Sequence, residues 1–132
     1  MHVIEIANPV IRRADPTIVE AALTDARALI EPTQRAALDA LPADVRHVAG
    51  LHLGWWDAAG QERQTGRGKA IRPALTIACA RAAGGDEAGE AAIRSAVAVE
   101  LVHDFSLLHD DIMDSDLVRR HQPTAWSAFG VS

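Results

Sequence analysis

The segment 110–120, DDIMDSDLVRR, combines four aspartates with two arginines. Asp110 and Asp114 are four residues apart, so on a helix their carboxylates would be neighbours that repel each other. A divalent cation would reverse this repulsion, and ligands that offer only oxygen suit Mg²⁺. Mg²⁺ keeps waters and is usually completed by phosphate groups, whose oxygens the guanidinium forks of Arg119 and Arg120 could bind. The segment therefore predicts a site for magnesium and a diphosphate.

The alternative interpretation of the same aspartates is a solvated acidic surface without a ligand, because short motifs also occur by chance. A second basic element favours the ligand. In the segment 66–73, GRGKAIRP, glycines would let the backbone approach an anion while Lys69 and Arg72 supply positive charge. Alone, this segment is typical of an ordinary polar loop. The two elements together indicate a diphosphate site.

Helices are the elements that must position these residues. Hydrophobic residues make up 48% of the sequence, with no Tyr and two Phe, which favours packed helices over a sheet. Capping and breaking signals delimit the predicted helices: 15–32, 33–60 with an interruption at Pro42, 73–83 and 86–114. Trp55 and Trp56 are expected to be packing anchors. Cys79, in the apolar run ALTIACA, is expected to be buried rather than to act as a nucleophile.

The predicted fourth helix has two different faces. At about 100° per residue, a narrow apolar stripe contains Leu101, Phe105, Leu108 and Ile112. The opposite side carries His103, Asp110 and Asp114. We expect the stripe to pack against the rest of the protein and the other face to meet a ligand or water.

Composition and charge exclude several classes of function. The net charge is −5 and no run of Lys and Arg forms a basic stripe, which argues against nucleic acid as a partner. The first sixteen residues contain no sustained apolar run, which argues against a membrane span or a secretory signal. With 132 residues and one cysteine, the expectation is a single soluble cytoplasmic domain.

Three segments resemble motifs of the trans-isoprenyl diphosphate synthases, the family of polyprenyl synthetases. GKAIRP (68–73) resembles the segment GKxxRP, VELVHDFSLLHDDIMD (99–114) resembles the first aspartate-rich motif DDxxD with its preceding helix, and RRHQPTAW (119–126) resembles RRGxPT. The resemblance extends over residues 41–132. It implies an all-α, antiparallel helical bundle of the isoprenoid synthase type, of which residues 1–132 would form only the N-terminal portion.

The resemblance also implies a role for each matching residue. Asp110 and Asp114 would hold Mg²⁺ on an allylic diphosphate, supported by Asp111, and Arg119 would contact the same diphosphate. The diphosphate of isopentenyl diphosphate would be bound by Lys69, Arg72, His103 and Arg120. The implied reaction is ionisation of the allylic C–O bond, attack by the isopentenyl double bond and loss of a proton.

The resemblance also implies a product, and the sequence departs from the family pattern in two ways. Phe105 and Ser106, one turn before the aspartates, would line the pocket that limits chain length, and their pattern is most like that of geranylgeranyl diphosphate synthases. The alternative interpretation is that Phe105 simply packs in the apolar stripe. His121 stands where the family usually has glycine. The second aspartate-rich motif of the family is absent from this sequence, so we expect association with another copy or a complementary chain.

Three alternatives stay open on the sequence alone. A class I terpene cyclase fragment would share the aspartate-rich motif, but it has no second diphosphate for Lys69, Arg72 and Arg120 to bind. A noncatalytic partner subunit of a prenyl diphosphate synthase would suit the short chain, although such a subunit has no need of an intact DDIMD. A structural helical bundle could bind metal incidentally, and diphosphate would then not affect metal binding.

Overall fold

The computed structural model describes residues 15–63, 68–84 and 89–130. These residues form five helices and one two-stranded hairpin: α1 Pro16–Asp39, α2 Ala43–His52, α3 Ile71–Gly84, α4 Glu90–Met113, β1 Val118–Arg119, β2 Gln122–Pro123 and α5 Ala125–Phe129. The all-α prediction is confirmed. Among the described helices, none is both long enough and apolar enough to span a lipid bilayer.

Helix α1 begins as predicted but ends later. The carboxylate of Asp15 accepts hydrogen bonds from the backbone N–H of Thr17 at 2.9 Å and from its hydroxyl at 2.7 Å, which lower the pKa of Asp15. The predicted end at Pro32 was wrong, since the helix continues to Asp39. Its buried residues recur every four positions on both sides of Pro32: Ala26, Ile30, Gln34 and Leu38. Burial of this continuous face therefore outweighs the missing backbone donor of an exposed proline.

The other helices also differ from the predicted bounds. Helix α2 ends at His52 rather than towards Gly60, and the chain then turns at Gly54, where φ is +73°. Helix α3 begins at Ile71, so Pro73 lies in the first turn, where its missing N–H leaves no helical hydrogen bond unmade. Gly89 is the N-cap of α4. The predicted cap Asp86 lies outside the described residues.

The core consists of two apolar clusters joined by a residue of α4. The first is formed by α1, α3 and α4, and contains Ala26, Ile30, Ile77, Ala96 and Val97. The second contains Leu38, Leu53 and Trp55, and Trp56 packs against it, as predicted for the tryptophans. Leu101 packs against both clusters. Helix α4 is thus the central element of the described bundle.

The prediction that the apolar stripe of α4 packs against the rest of the protein is largely wrong. Phe105 is 61% exposed and Ile112 is 47% exposed, while Leu101 and Leu108 are half-buried. The buried residues of α4 are instead Ala96, Val97, Asp104 and Asp111. The neighbouring helices cover the side of α4 that contains Val97, Asp104 and Asp111, which are seven residues apart, and leave the more apolar side open. The hydropathy pattern therefore does not reveal the packed face.

The prediction that Cys79 is buried is also wrong. Its side chain is free and exposed, because α3 buries Pro73 and Ile77, and a residue two positions after Ile77 points away from that face. A thiol-reactive chromophore should therefore label Cys79 in the native chain as fast as in the chain unfolded in guanidinium. Labelling that requires unfolding would contradict the described orientation of α3.

Candidate magnesium and diphosphate site

The aspartates lie at the C-terminal end of α4 and differ in exposure. Asp110 and Asp114 are exposed, and the backbone N–H of Asp114 donates to the carbonyl of Asp110 over 2.8 Å as the helix ends. Asp111 is only 1% exposed and points into the protein. The aspartate-rich segment thus presents two carboxylates to solvent and directs a third inward.

Arg119 on β1 contacts the inward-pointing Asp111. Its Nε donates to Oδ1 of Asp111 over 2.7 Å, and its Nη2 lies 2.6 Å from the same oxygen. The hydrogen bond with Asp111 raises the pKa of Arg119. The other carboxylate oxygen, Oδ2, is buried without a hydrogen-bond partner within the described residues. The ion pair joins the hairpin to the end of α4, a role for Arg119 that the sequence did not indicate.

Arg119 ends strand β1, and Arg120 is the first residue of the tight turn that follows. Val118 pairs with Pro123 and Arg119 with Gln122, which leaves Arg120 and His121 as the two turn residues. Their φ angles are +50° and +64°, as in the two-residue hairpin turn that favours glycine. His121 therefore occupies a left-handed position where the resembled family has glycine. The turn forms nonetheless and keeps both arginines at the site.

Three of the four residues predicted to bind isopentenyl diphosphate lie close together. Burial lowers the pKa of His103, and the positive charges of Arg72 and Arg120 lower it further, against the opposing charge of Asp104. Helix α3, helix α4 and the hairpin therefore bring one basic group each to the same region. Lys69, the fourth, is exposed near α1.

The loop before α3 lies against the same region. Arg27 of α1 donates through Nη2 to the carbonyl of Gly68 over 2.8 Å. A Cβ atom at Gly68 would lie 3.0 Å from Nη2 of Arg120, so the guanidinium is packed directly against the glycine. A side chain at this position would displace the guanidinium of Arg120 by a few tenths of an ångström.

Sequence reasoning missed four charged or titratable residues around this site: Arg27, His52, Glu100 and Asp104. Nε2 of His52 lies 3.5 Å from Oδ1 of Asp104, and both side chains are almost fully buried. This distance is too long for a good hydrogen bond, and Nε2 makes none within the described residues. A sequence signal existed for the two acids of α4, because Glu100, Asp104 and Asp111 lie on the same side of the helix as the apolar Val97.

Glu100, Asp104 and Arg120 line a small cavity of about 40 Å³ between α1, α4 and the loop before α3. A larger and more apolar cavity of about 250 Å³ lies near Asp111 and Ile112. Phe105 and Ser106 line neither cavity and are exposed on α4, where the hydroxyl of Ser106 donates to the carbonyl of His103 over 2.7 Å. Their role in a product pocket stays a prediction.

The donor set fits a magnesium ion that is completed by a ligand. Within the described residues, no three His, Cys, Asp or Glu side chains converge in a way that could cage a metal ion. Asp110 and Asp114 offer two exposed carboxylates, which is the number that Mg²⁺ usually takes when phosphate oxygens and waters complete its shell. The third carboxylate, of Asp111, is directed inward to Arg119 and would support the site through that contact.

Comparison with known proteins decides the family. The family model described as Polyprenyl synthetase matches residues 54–132. The chain belongs to the polyprenyl synthetase family. The match covers the site from α3 to the hairpin, so the resemblance carried by the three motifs is confirmed.

Individual relatives agree with this assignment. The chain is 51% identical over 105 residues to a (2E,6E)-farnesyl diphosphate synthase of Mycobacterium tuberculosis, covering 80% of the chain and 29% of the relative. It is 47% identical over 112 residues to a geranylgeranyl diphosphate synthase of the same species, covering 85% and 31%. The crystal structure of a polyprenyl synthetase from Streptomyces coelicolor A3(2) aligns with a TM-score of 0.77 at 48% identity, covering 85% of the chain and 32% of the neighbour. The chain thus spans less than a third of each relative's length.

Proposed function

We propose that residues 1–132 form the N-terminal portion of a trans-prenyltransferase that condenses isopentenyl diphosphate with an allylic diphosphate. The observation that carries this proposal is the approach of Arg72 from α3 and Arg120 from the hairpin to His103 of α4. Helix α4 also presents Asp110 and Asp114 at its C-terminal end. Two separate groups of residues would bind the two diphosphates, one group for each. The names of the relatives, all diphosphate synthases, support the same class of reaction.

Each residue would have a defined task in this reaction. Asp110 and Asp114 would hold Mg²⁺, which supplies positive charge to the departing allylic diphosphate. Arg119 would add a guanidinium whose Nε and Nη2 side is fixed by Asp111, leaving its Nη1 side for phosphate. Because these cations are fixed before the bond breaks, they would stabilise the transition state more than the ground state.

The second substrate would be held by the other basic group. Arg72 and Arg120 would bind the diphosphate of isopentenyl diphosphate as guanidinium forks, with Lys69 adding charge at the edge. His103, whose pKa is lowered by burial and by these arginines, would enter the site as neutral imidazole and donate one hydrogen bond. The substrate would thereby be oriented for attack by its double bond.

The finer features of the proposal are the product and the partners. We favour a geranylgeranyl product because of Phe105 and Ser106, although relatives of the chain include farnesyl, geranylgeranyl and geranylfarnesyl diphosphate synthases. A homo-oligomer or a complementary chain, and a cytoplasmic location, stay predictions from the sequence. The terpene cyclase alternative is not favoured, since the relatives named above are diphosphate synthases.

Asp110→Ala tests the proposed site. Isothermal titration with inorganic diphosphate is expected to show that Mg²⁺ raises the affinity of the original chain on the order of tenfold, and that the substitution removes this increase. Asp25→Ala, at an exposed aspartate of α1, is the matched control and should keep the increase. Magnesium that binds equally with and without diphosphate would instead support the incidental-metal alternative.

A transfer assay separates an active chain from a noncatalytic one. The chain is incubated with isopentenyl diphosphate, allylic diphosphates of increasing length and Mg²⁺, and products are separated by chromatography. Product that Asp110→Ala abolishes would support catalysis and report chain length. Diphosphate binding without product would mean that these residues by themselves are a fragment of the enzyme or a noncatalytic partner subunit.

A further inference from the structure

Glu100 is a half-buried acid of α4 to which the proposed reaction gives no task. Its Oε2 atom is buried and has no hydrogen-bond partner within the described residues. Asp104, one helical turn later, is 5% exposed, and its Oδ2 is orphaned in the same way. Both side chains line the small cavity next to Arg120. Two carboxylates four residues apart on one helix face repel each other, and partial burial strengthens this repulsion because it removes water that would screen it.

Charged and titratable groups of the neighbouring elements surround this acid pair. They are Arg27 and Glu31 of α1, His52 of α2, Arg72 of α3, His103 of α4 and Arg120 of the hairpin. Burial and the charge of Asp104 raise the pKa of Glu100, whereas the charges of Arg72 and Arg120 lower it. The ionised form of Glu100 therefore depends on these two guanidinium groups.

We propose that Glu100 takes up a proton when a diphosphate binds to Arg72 and Arg120, an inference that rests on the proposed function. The phosphate oxygens would neutralise the two guanidinium groups and bring further negative charge close to the buried carboxylate. The groups that favour the ionised form would then be engaged elsewhere, while burial and Asp104 would still favour the neutral form. One proton moves from solvent to a carboxyl oxygen of Glu100, and no other bond changes.

Proton uptake has a consequence for affinity. Because binding consumes a proton, the affinity for a diphosphate falls as the pH rises from the pKa of Glu100 in the free chain to its higher pKa in the bound chain, and it levels off above that range. A neutral isostere at this position removes both the buried anion and the proton requirement. Glu100→Gln should therefore bind a diphosphate more tightly than the original chain, by about tenfold at neutral pH.

Calorimetry of the full chain tests the inference. Inorganic diphosphate is titrated without Mg²⁺ at neutral pH in two buffers of different ionisation enthalpy, which gives the number of protons exchanged. The original chain is expected to take up more protons than Glu100→Gln, and the probe's own protons cancel in this difference. Glu90→Gln is the matched control, since Glu90 lies on the same helix but is exposed and paired with Arg94. It should behave like the original chain.

The outcomes separate this inference from the proposed function. Equal proton exchange and equal affinity in the original chain and Glu100→Gln would overturn the inference and leave the diphosphate site standing. A chain that binds no diphosphate would contradict both. If Glu100→Gln does not fold, infrared difference spectroscopy of the original chain decides. A protonated-carboxyl band that appears on adding diphosphate supports the proposal, and its absence overturns it.

Discussion

Arg119→Met is expected to destabilise the fold by about 3 kcal/mol, because it leaves the carboxylate of Asp111 buried without its charged partner. Asp111 is 1% exposed and its contacts with Arg119 are 2.6 and 2.7 Å long. Methionine keeps much of the apolar stem of arginine, so the loss of stability reflects the removal of the positive charge. The side chain of Arg119 is 27% exposed, which places the expected loss towards the lower end for a buried pair.

A double-mutant cycle measured by urea unfolding checks this expectation. Asp111→Asn removes the charge that Arg119 balances, so Arg119→Met in the Asn background should cost about 1 kcal/mol or less. Arg94→Met is the control, because the ion pair of Arg94 with Glu90 is largely exposed and should contribute less than about 0.5 kcal/mol. Additive losses in the cycle would show that Arg119 does not stabilise Asp111.

Gly50→Ala is the second substitution with a large expected effect. Alanine in place of a helical glycine usually stabilises a protein by roughly 0.5–1 kcal/mol. At Gly50 the sign should reverse, because a Cβ atom would overlap the indole ring of Trp56. The ring cannot move freely, since its Nε1 donates to the carbonyl of His47 over 2.8 Å and the ring packs against Trp55. We expect a loss of about 3 kcal/mol, at the upper end of overpacking costs.

The measurement is again the free energy of unfolding, with tryptophan fluorescence as the probe. Gly84→Ala is the matched control, since Gly84 is also a helical glycine but has open space around its Cβ position. Its substitution should leave stability unchanged or raise it. A Gly50→Ala chain as stable as the original would mean that Trp56 does not occupy the described position.

The sequence alone determined the helical class and the family, and it supplied the chemistry that we propose for the site. These features depend on local or composition-level signals: the side-chain oxygen of Asp15 next to Pro16, the spacing of Asp110 and Asp114, and the two arginines that follow. A cap or a motif is defined by residues close together in the chain, so the sequence contains the whole signal.

Tertiary packing decided which faces of the helices are buried. Pro32 predicts a helix end, yet a buried face that continues on both sides of it keeps α1 intact. The apolar residues of α4 favoured Phe105 and Ile112 as core residues, but the neighbouring elements cover an adjacent side of the helix, which contains Asp104 and Asp111. Hydrophobic periodicity identifies a possible face, whereas burial depends on which neighbours are present to cover it.

The pairing of charges was likewise decided by the fold. Nothing in the spacing of the sequence indicates that Arg119 engages Asp111, or that Arg72 and Arg120 act on Glu100 across three elements. The interaction of two charges depends on their separation in space and on their burial, and neither can be derived from sequence distance. The sequence therefore supplied the residues of the proposed diphosphate site, and the tertiary structure determined which acids face which arginines.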